Sequence, residues 1–294
     1  MMNFVKIRLF RLLMIIAPLA AFAPLPSPAH EYSGRIFISL PRNADLSDKI
    51  AVDIFRPACK PRGVIALFVG YRRNSADYRD YAKPLARAAC LLIFAPHFSA
   101  KAFPPAAYQR ADYAHSNALN AAAPLLKTIK TRAAHRSGEG NLPLILIGHS
   151  AGAQYLDRLI AYQPLETAPR GYILISAGTY AMPSAAIAPP YGFKGVNPAA
   201  LRAYLGAPVR ILIGGRDISN AAHLSQVPEA KAQGANRLAR ARNFWAMGQA
   251  EAAKRKAPFG WTLQIISNIG HSPAKALQSA ILRQTIENML SKDR

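Results

Sequence analysis

Leu142-Pro143-Leu144-Ile145-Leu146-Ile147-Gly148-His149-Ser150-Ala151-Gly152 is the stretch on which the fold turns. Leu144 to Ile147 has the length and composition of a buried strand. It stops at Gly148-His149-Ser150-Ala151-Gly152, and Ala153 to Tyr162 has a helical pattern. A strand that passes at once into a helix through Gly-x-Ser-x-Gly forms a nucleophile elbow. The serine occupies a strained turn, so the residues two positions either side must be small for strand and helix to approach each other. Its Oγ then stands clear of the sheet edge, and the N–H of the next residue, Ala151, points to where an oxyanion would form.

The apolar runs on either side repeat the pattern. Val64 to Val69, bounded by Gly63 and Gly70, reads as a central strand buried on both faces. Leu91 to Ala95, Gly171 to Ser176, Val209 to Ile213 and Trp261 to Ile266 read as further strands, separated by helix-like segments. This alternation predicts an α/β fold with a mostly parallel sheet and helices on both faces. Arg35 to Leu40 and Ile50 to Phe55 flank a polar turn and predict an antiparallel N-terminal hairpin. Glu229 to Arg255 reads as a long helix-like segment, and Ala-, Pro- and Gly-rich Tyr180 to Asn197 as a lid or surface loop.

Two polar residues follow strands in register with Ser150. Asp217 ends Gly214-Gly215-Arg216-Asp217, and His271 lies in Asn268-Ile269-Gly270-His271-Ser272-Pro273. In an open parallel sheet, ligands bind beyond the carboxyl ends of the strands, and all three residues fall there. The set is chemically coherent. A serine hydroxyl is a weak nucleophile until a base takes its proton. Imidazole, with an ordinary pKa near 6.5, can accept and return it. A carboxylate holds the ring in the useful tautomer. Glu229 is the alternative acid and His97 the alternative base. His149 reads as a packing residue beside the nucleophile, and His223 as a residue lining the site.

The segment Gly70-Tyr71-Arg72-Arg73-Asn74 with Tyr78, the elbow through Gln154, Gly214 to Asp217, and Gly270-His271-Ser272 together resemble the α/β-hydrolase superfamily. The closer likeness is to bacterial secreted serine esterases and polyester-depolymerase-like hydrolases, over about Phe55 to Ala276. The order Ser, acid, His along the chain is that of the superfamily. The resemblance implies a serine hydrolase that cleaves carboxylic esters through an acyl-enzyme, with Ser150, Asp217 and His271 catalytic. Tyr71 and Ala151 N–H groups would form the oxyanion hole. Many relatives carry His-Gly after the third strand, where this chain has Val69-Gly70. A serine peptidase or amidase on the same fold is the alternative activity, and a non-catalytic envelope-binding protein the alternative class. The strand order of the superfamily sets the second strand antiparallel beside the fourth. It thereby implies a disulfide between the two cysteines, Cys59 and Cys90, worth roughly 3 kcal/mol.

Asn74 or Ser75 can cap the helix after the third strand. Arg72 and Arg73 flank the expected oxyanion hole and read as solvated surface, with attraction of an anionic substrate as the alternative.

Residues 1–29 read as a signal peptide. Lys6, Arg8 and Arg11 precede the apolar stretch Leu12 to Ala23, and Ser27-Pro28-Ala29 offers a cleavage site before His30. The expected product is one catalytic domain, 30–294, in the periplasm or outside the cell. An uncleaved anchor is the alternative. The formal net charge is +22, or +19 without residues 1–29. The basic residues are dispersed and carry no nucleic-acid reader motif. Attraction to anionic envelope surfaces or a compositional bias accounts for them. The histidines and cysteines form no metal-ligand spacing, and no dinucleotide fingerprint is present, so no cofactor is expected. The expected partner is a small or polymeric ester.

Overall fold

A computed structural model describes residues 30–40, 49–111, 117–163, 165–166, 168–219 and 223–291. The signal-peptide expectation, residues 1–29, lies outside the described residues. The strands are β1 (Tyr32–Ser39), β2 (Lys49–Arg56), β3 (Gly63–Phe68), β4 (Leu91–His97), β5 (Leu144–His149), β6 (Gly171–Ile175), β7 (Val209–Gly214) and β8 (Thr262–Ile266). The helices are α1 (Ser75–Ala89), α2 (Pro105–Tyr108), α3 (Asn117–Asn120), α4 (Ala122–Ser137), α5 (Ala151–Tyr162), α6 (Pro198–Gly206), α7 (Pro228–Ala232), α8 (Arg237–Lys254), α9 (Pro273–Leu277) and α10 (Ala280–Leu290).

The strands form one eight-stranded sheet in the order β1-β2-β4-β3-β5-β6-β7-β8. β1 and β2 pair antiparallel, and β2 runs antiparallel beside β4. From β4 onward the sheet is parallel. The expected mostly parallel sheet with an N-terminal hairpin is therefore present.

Alternate residues of the apolar strands supply two separate cores, because successive side chains point to opposite faces. Val64, Ala66 and Phe68 of β3 join Leu144, Leu146, Leu174 and Ile211 on the face covered by α4, α5, α6 and α8. Ile65 and Leu67 join Ile145, Ile147, Ile173 and Leu212 on the face covered by α1, α9 and α10. A strand flanked on both sides in this way must be apolar throughout, and every residue of β3 and β5 is buried.

Cys59 and Cys90 are bonded, with Cα atoms 5.7 Å apart, inside the range a relaxed bridge spans. The bond joins the chain after β2 to the turn before β4, as the superfamily's strand order implies.

Three expectations need correction. The segment Glu229 to Arg255 is not one helix. It breaks between α7 and α8 at Gly234, whose φ of +142° belongs to glycine. Arg73 is not solvated: its buried guanidinium donates to the carbonyls of Phe98 (3.4 Å) and Phe103 (3.2 Å) and lies 3.7 Å over the Tyr108 ring. Asn74 is the N-cap residue of α1, but its side chain donates to Asp77 (2.6 Å) instead of accepting from the helix.

Residues 180–197 contain no helix or strand. They are fastened to α5: Arg158 donates to Pro190 O (3.2 Å), Tyr162 to Gly192 O (2.8 Å), and Ala181 N–H to Asp157 Oδ2 (2.7 Å).

Candidate active site

Ser150 sits between the end of β5 and the start of α5 with φ 56° and ψ −114°. A non-glycine residue with positive φ is strained, and such strain gathers at functional turns. The two glycines make the turn possible. A Cβ at Gly148 would collide with the backbone of Gly152, and a Cβ at Gly152 would collide with the carbonyl of Phe68 at the end of β3. The helix starts two residues earlier than its pattern suggests, directly after the serine.

Ser150 Oγ lies 2.9 Å from His271 Nε2, and His271 Nδ1 lies 2.8 Å from Asp217 Oδ2. The three side chains come from loops beyond β5, β8 and β7. They are brought together at the carboxyl edge of the sheet. Asp217 is fully buried, whereas the His271 side chain is 27% exposed. The carboxylate is therefore shielded while the imidazole and hydroxyl meet the cleft.

Tyr71 and Ala151 line the same cleft of about 360 Å³. Among the described residues, no hydrogen-bond acceptor is paired with the backbone N–H of either. The Tyr71 side chain is 50% exposed and stacks on His223 at 5.1 Å, so these two rings form a rim. Arg72 and Gln154 also face the cleft, and Gln154 is held by the Thr179 hydroxyl at 2.8 Å.

His149 is buried beneath the site. Its Nδ1 is 2.8 Å from the Tyr78 hydroxyl, and its ring is 4.9 Å from that of His271. Burial, then the neighbouring His271 and Arg237, holds its pKa well below the usual imidazole range, so the ring is neutral. Burial also pushes the Tyr78 hydroxyl up, which keeps it protonated.

The alternative residues lie elsewhere. His97 Nδ1 is 3.3 Å from Ser75 Oγ, which donates to Asp53 at 2.7 Å, and this group does not line the Ser150 cleft. Glu229 is exposed on α7 and does not line the cleft either.

Sequence reasoning missed Arg237. It opens α8 at the wall of the cleft, with Nη1 3.6 Å from Asp217 Oδ1. One signal was available. A cation in the first turn faces the positive end of the helix dipole, and an arginine placed there at Asn236-Arg237 calls for a nearby anion.

No model of a known family and no curated protein matches the sequence. Solved structures do. LpqC, a poly(3-hydroxybutyrate) depolymerase from Bordetella parapertussis, is 30% identical, with 90% of this chain and 92% of that one covered and a TM-score of 0.73. Poly(aspartic acid) hydrolase-1 from Sphingomonas sp. KT-1 is 26% identical, with 87% and 98% covered and a TM-score of 0.76. The siderophore hydrolase EstA from Aspergillus nidulans, 13% identical with 92% and 98% covered and a TM-score of 0.54, shares the fold. With identity at this level over nearly the whole of LpqC, the chain belongs to the α/β-hydrolases, in their esterase- and depolymerase-like branch.

Proposed function

We propose that the protein is a serine hydrolase that cleaves carboxylic esters through an acyl-enzyme. The observation that carries this reading is the hydrogen-bonded chain from Asp217 through His271 to Ser150. His271 takes the Ser150 proton as Oγ attacks the ester carbonyl. The developing oxyanion is held by the Tyr71 and Ala151 N–H groups, which are directed there at no cost of reorganisation. Asp217 stabilises the imidazolium and fixes its tautomer. His271 then gives its proton to the leaving alcohol. Water, activated by the same imidazole, attacks the acyl carbonyl and releases the acid.

The substrate is a small or polymeric ester. The likeness to a poly(3-hydroxybutyrate) depolymerase supports the polymer, and the open rim of Tyr71 and His223 suits a chain that enters from solvent. Amide cleavage on the same residues is the second reading. It is favoured by the likeness to poly(aspartic acid) hydrolase-1, because the repeat units of poly(aspartic acid) are joined by amides.

Export belongs to the same proposal. A disulfide persists in oxidising compartments, and Cys59–Cys90 is one. No described helix is long and apolar enough to cross a membrane. Cleavage after residues 1–29 would leave a single catalytic domain from His30.

Fluorophosphonate labelling tests the mechanism: Ser150 should be labelled in the wild type and nothing in Ser150→Ala. Labelling that persists in the variant overturns it. p-Nitrophenyl esters of increasing chain length, assayed beside a peptide panel and a polyester film, separate ester from amide and monomer from polymer.

A further inference from the structure

Arg237 is a buried cation with too few partners. Its side chain is 3% exposed. A guanidinium taken out of water is costly unless charge and hydrogen bonds replace the lost hydration. Here they do so only in part. Nη1 faces Asp217 Oδ1 at 3.6 Å, which is beyond hydrogen-bond length. Among the described residues, Nε and Nη1 have no hydrogen-bond partner, and neither has Asp217 Oδ1. Asp217 spends its other oxygen on His271. The start of α8 is itself a positive end, and no acid occupies its first turn.

The cleft that Arg237 borders has the same sign. Arg72 adds a second guanidinium, and among the described residues none that lines the cleft is acidic. An uncharged substrate would leave Arg237 unpaired beside a carboxylate already engaged. Nε and Nη1 are closed off by the protein, but Arg237 also borders the cleft, and there a substrate carboxylate would give the guanidinium the acceptor it lacks, a planar fork being suited to a carboxylate's oxygens.

We propose that Arg237 anchors a free carboxylate of the substrate, so that the cleft takes esters whose acyl or alcohol part is anionic, such as hemiesters of dicarboxylic acids or the acid ends of hydroxy-acid oligomers. This rests on the reading of Ser150 as the nucleophile. The anchor also affects the chemistry. When His271 takes the serine proton, Asp217 faces two cations at once. A carboxylate on Arg237 returns Asp217 to His271, so the preference extends to kcat as well as KM.

The test uses the mono-p-nitrophenyl ester of glutaric acid and its neutral carboxamide counterpart, which differ in charge and little in shape. At low salt, wild-type kcat/KM should favour the carboxylate by about tenfold or more. Arg237→Gln should bring that ratio to about one, and Arg237→Lys should leave it between the two. Binding is read separately by calorimetry, as the dissociation constants of glutarate and its diamide. Glutarate should bind the wild type about tenfold or more tightly, and Arg237→Gln should lose the difference. Equal kcat/KM for the two esters in the wild type overturns the proposal, as does equal binding of the two ligands, even if Arg237→Gln does not fold. A preference that survives Arg237→Gln overturns it too, because the general positive field would then be its source. If neither ester is turned over while glutarate binds through Arg237, the anion site stands and the ester reading of Ser150 fails.

Discussion

The hydroxyl of Tyr78 on α1 lies 2.8 Å from Nδ1 of His149, the residue before Ser150. The same hydroxyl sits so close to Gly70 that a side chain there would collide with it. Tyr78 therefore pins the turn after β3, which carries Tyr71, to the turn that carries the serine. Tyr78→Phe removes the pin and leaves a buried imidazole nitrogen without its partner. Stability should fall by about 1–2 kcal/mol. kcat on a p-nitrophenyl ester should drop about tenfold with little change in KM, since the loss concerns the placement of oxyanion donors. Urea unfolding and steady-state kinetics check both. Unchanged kcat would show that the two turns hold their positions independently.

Ser150→Ala and His271→Ala should each lower kcat by about four orders of magnitude or more, with the circular dichroism spectrum unchanged. Asp217→Asn should cost a similar amount or somewhat less. Turnover near wild type in Ser150→Ala would end the proposed mechanism.

His149 makes stability depend on pH. Burial lowers its folded pKa below the unfolded value of about 6.5. Between those two values the unfolded chain binds a proton that the folded chain refuses. The contribution is thus complete above about pH 6.5 and is lost as pH falls, by up to about 1.4 kcal/mol per unit. Asp157, pushed up to about 6 by burial, acts in the opposite direction between pH 3.8 and 6. It is common to wild type and variant, so a comparison isolates the histidine. Relative to His149→Gln, the wild type should lose stability as pH falls from 7.5 to 5 in urea titrations. Parallel curves would mean that His149 is protonated in the folded protein.

The Cys59–Cys90 bond spans a sequence separation of 31 residues. Replacing both cysteines with serine should cost about 3 kcal/mol in the chain-entropy account. The mass of the unreduced, alkylated, unfolded protein should show no added label. Quantitative labelling of both thiols would contradict the bond.

The strands were legible because a buried strand must be apolar on both faces, and Val64 to Val69 or Leu144 to Ile147 can hardly serve otherwise. The tight turn from β5 into α5 was legible because strand and helix can close around Ser150 only when positions 148 and 152 lack a Cβ. The break at Gly234 was harder to read, since an alanine- and arginine-rich stretch keeps a helical pattern across a single glycine. Its effect is to start α8 afresh at Arg237, beside Asp217.

Local pattern thus determined the fold class, the turn that carries Ser150 and the chain order of Ser150, Asp217 and His271, because each depends on which residues must leave water and which turns admit a side chain. The tertiary structure decided which charges meet. Arg72 and Arg73 are neighbours with the same chemistry, yet one borders the cleft and the other is buried over Tyr108. Arg237 faces Asp217 because the end of β7 and the start of α8 converge, with Leu238 N–H donating to the Asp217 carbonyl at 3.2 Å. The energy of a charge is set by the dielectric and the partners around it, and those come from segments that only the assembled sheet brings together.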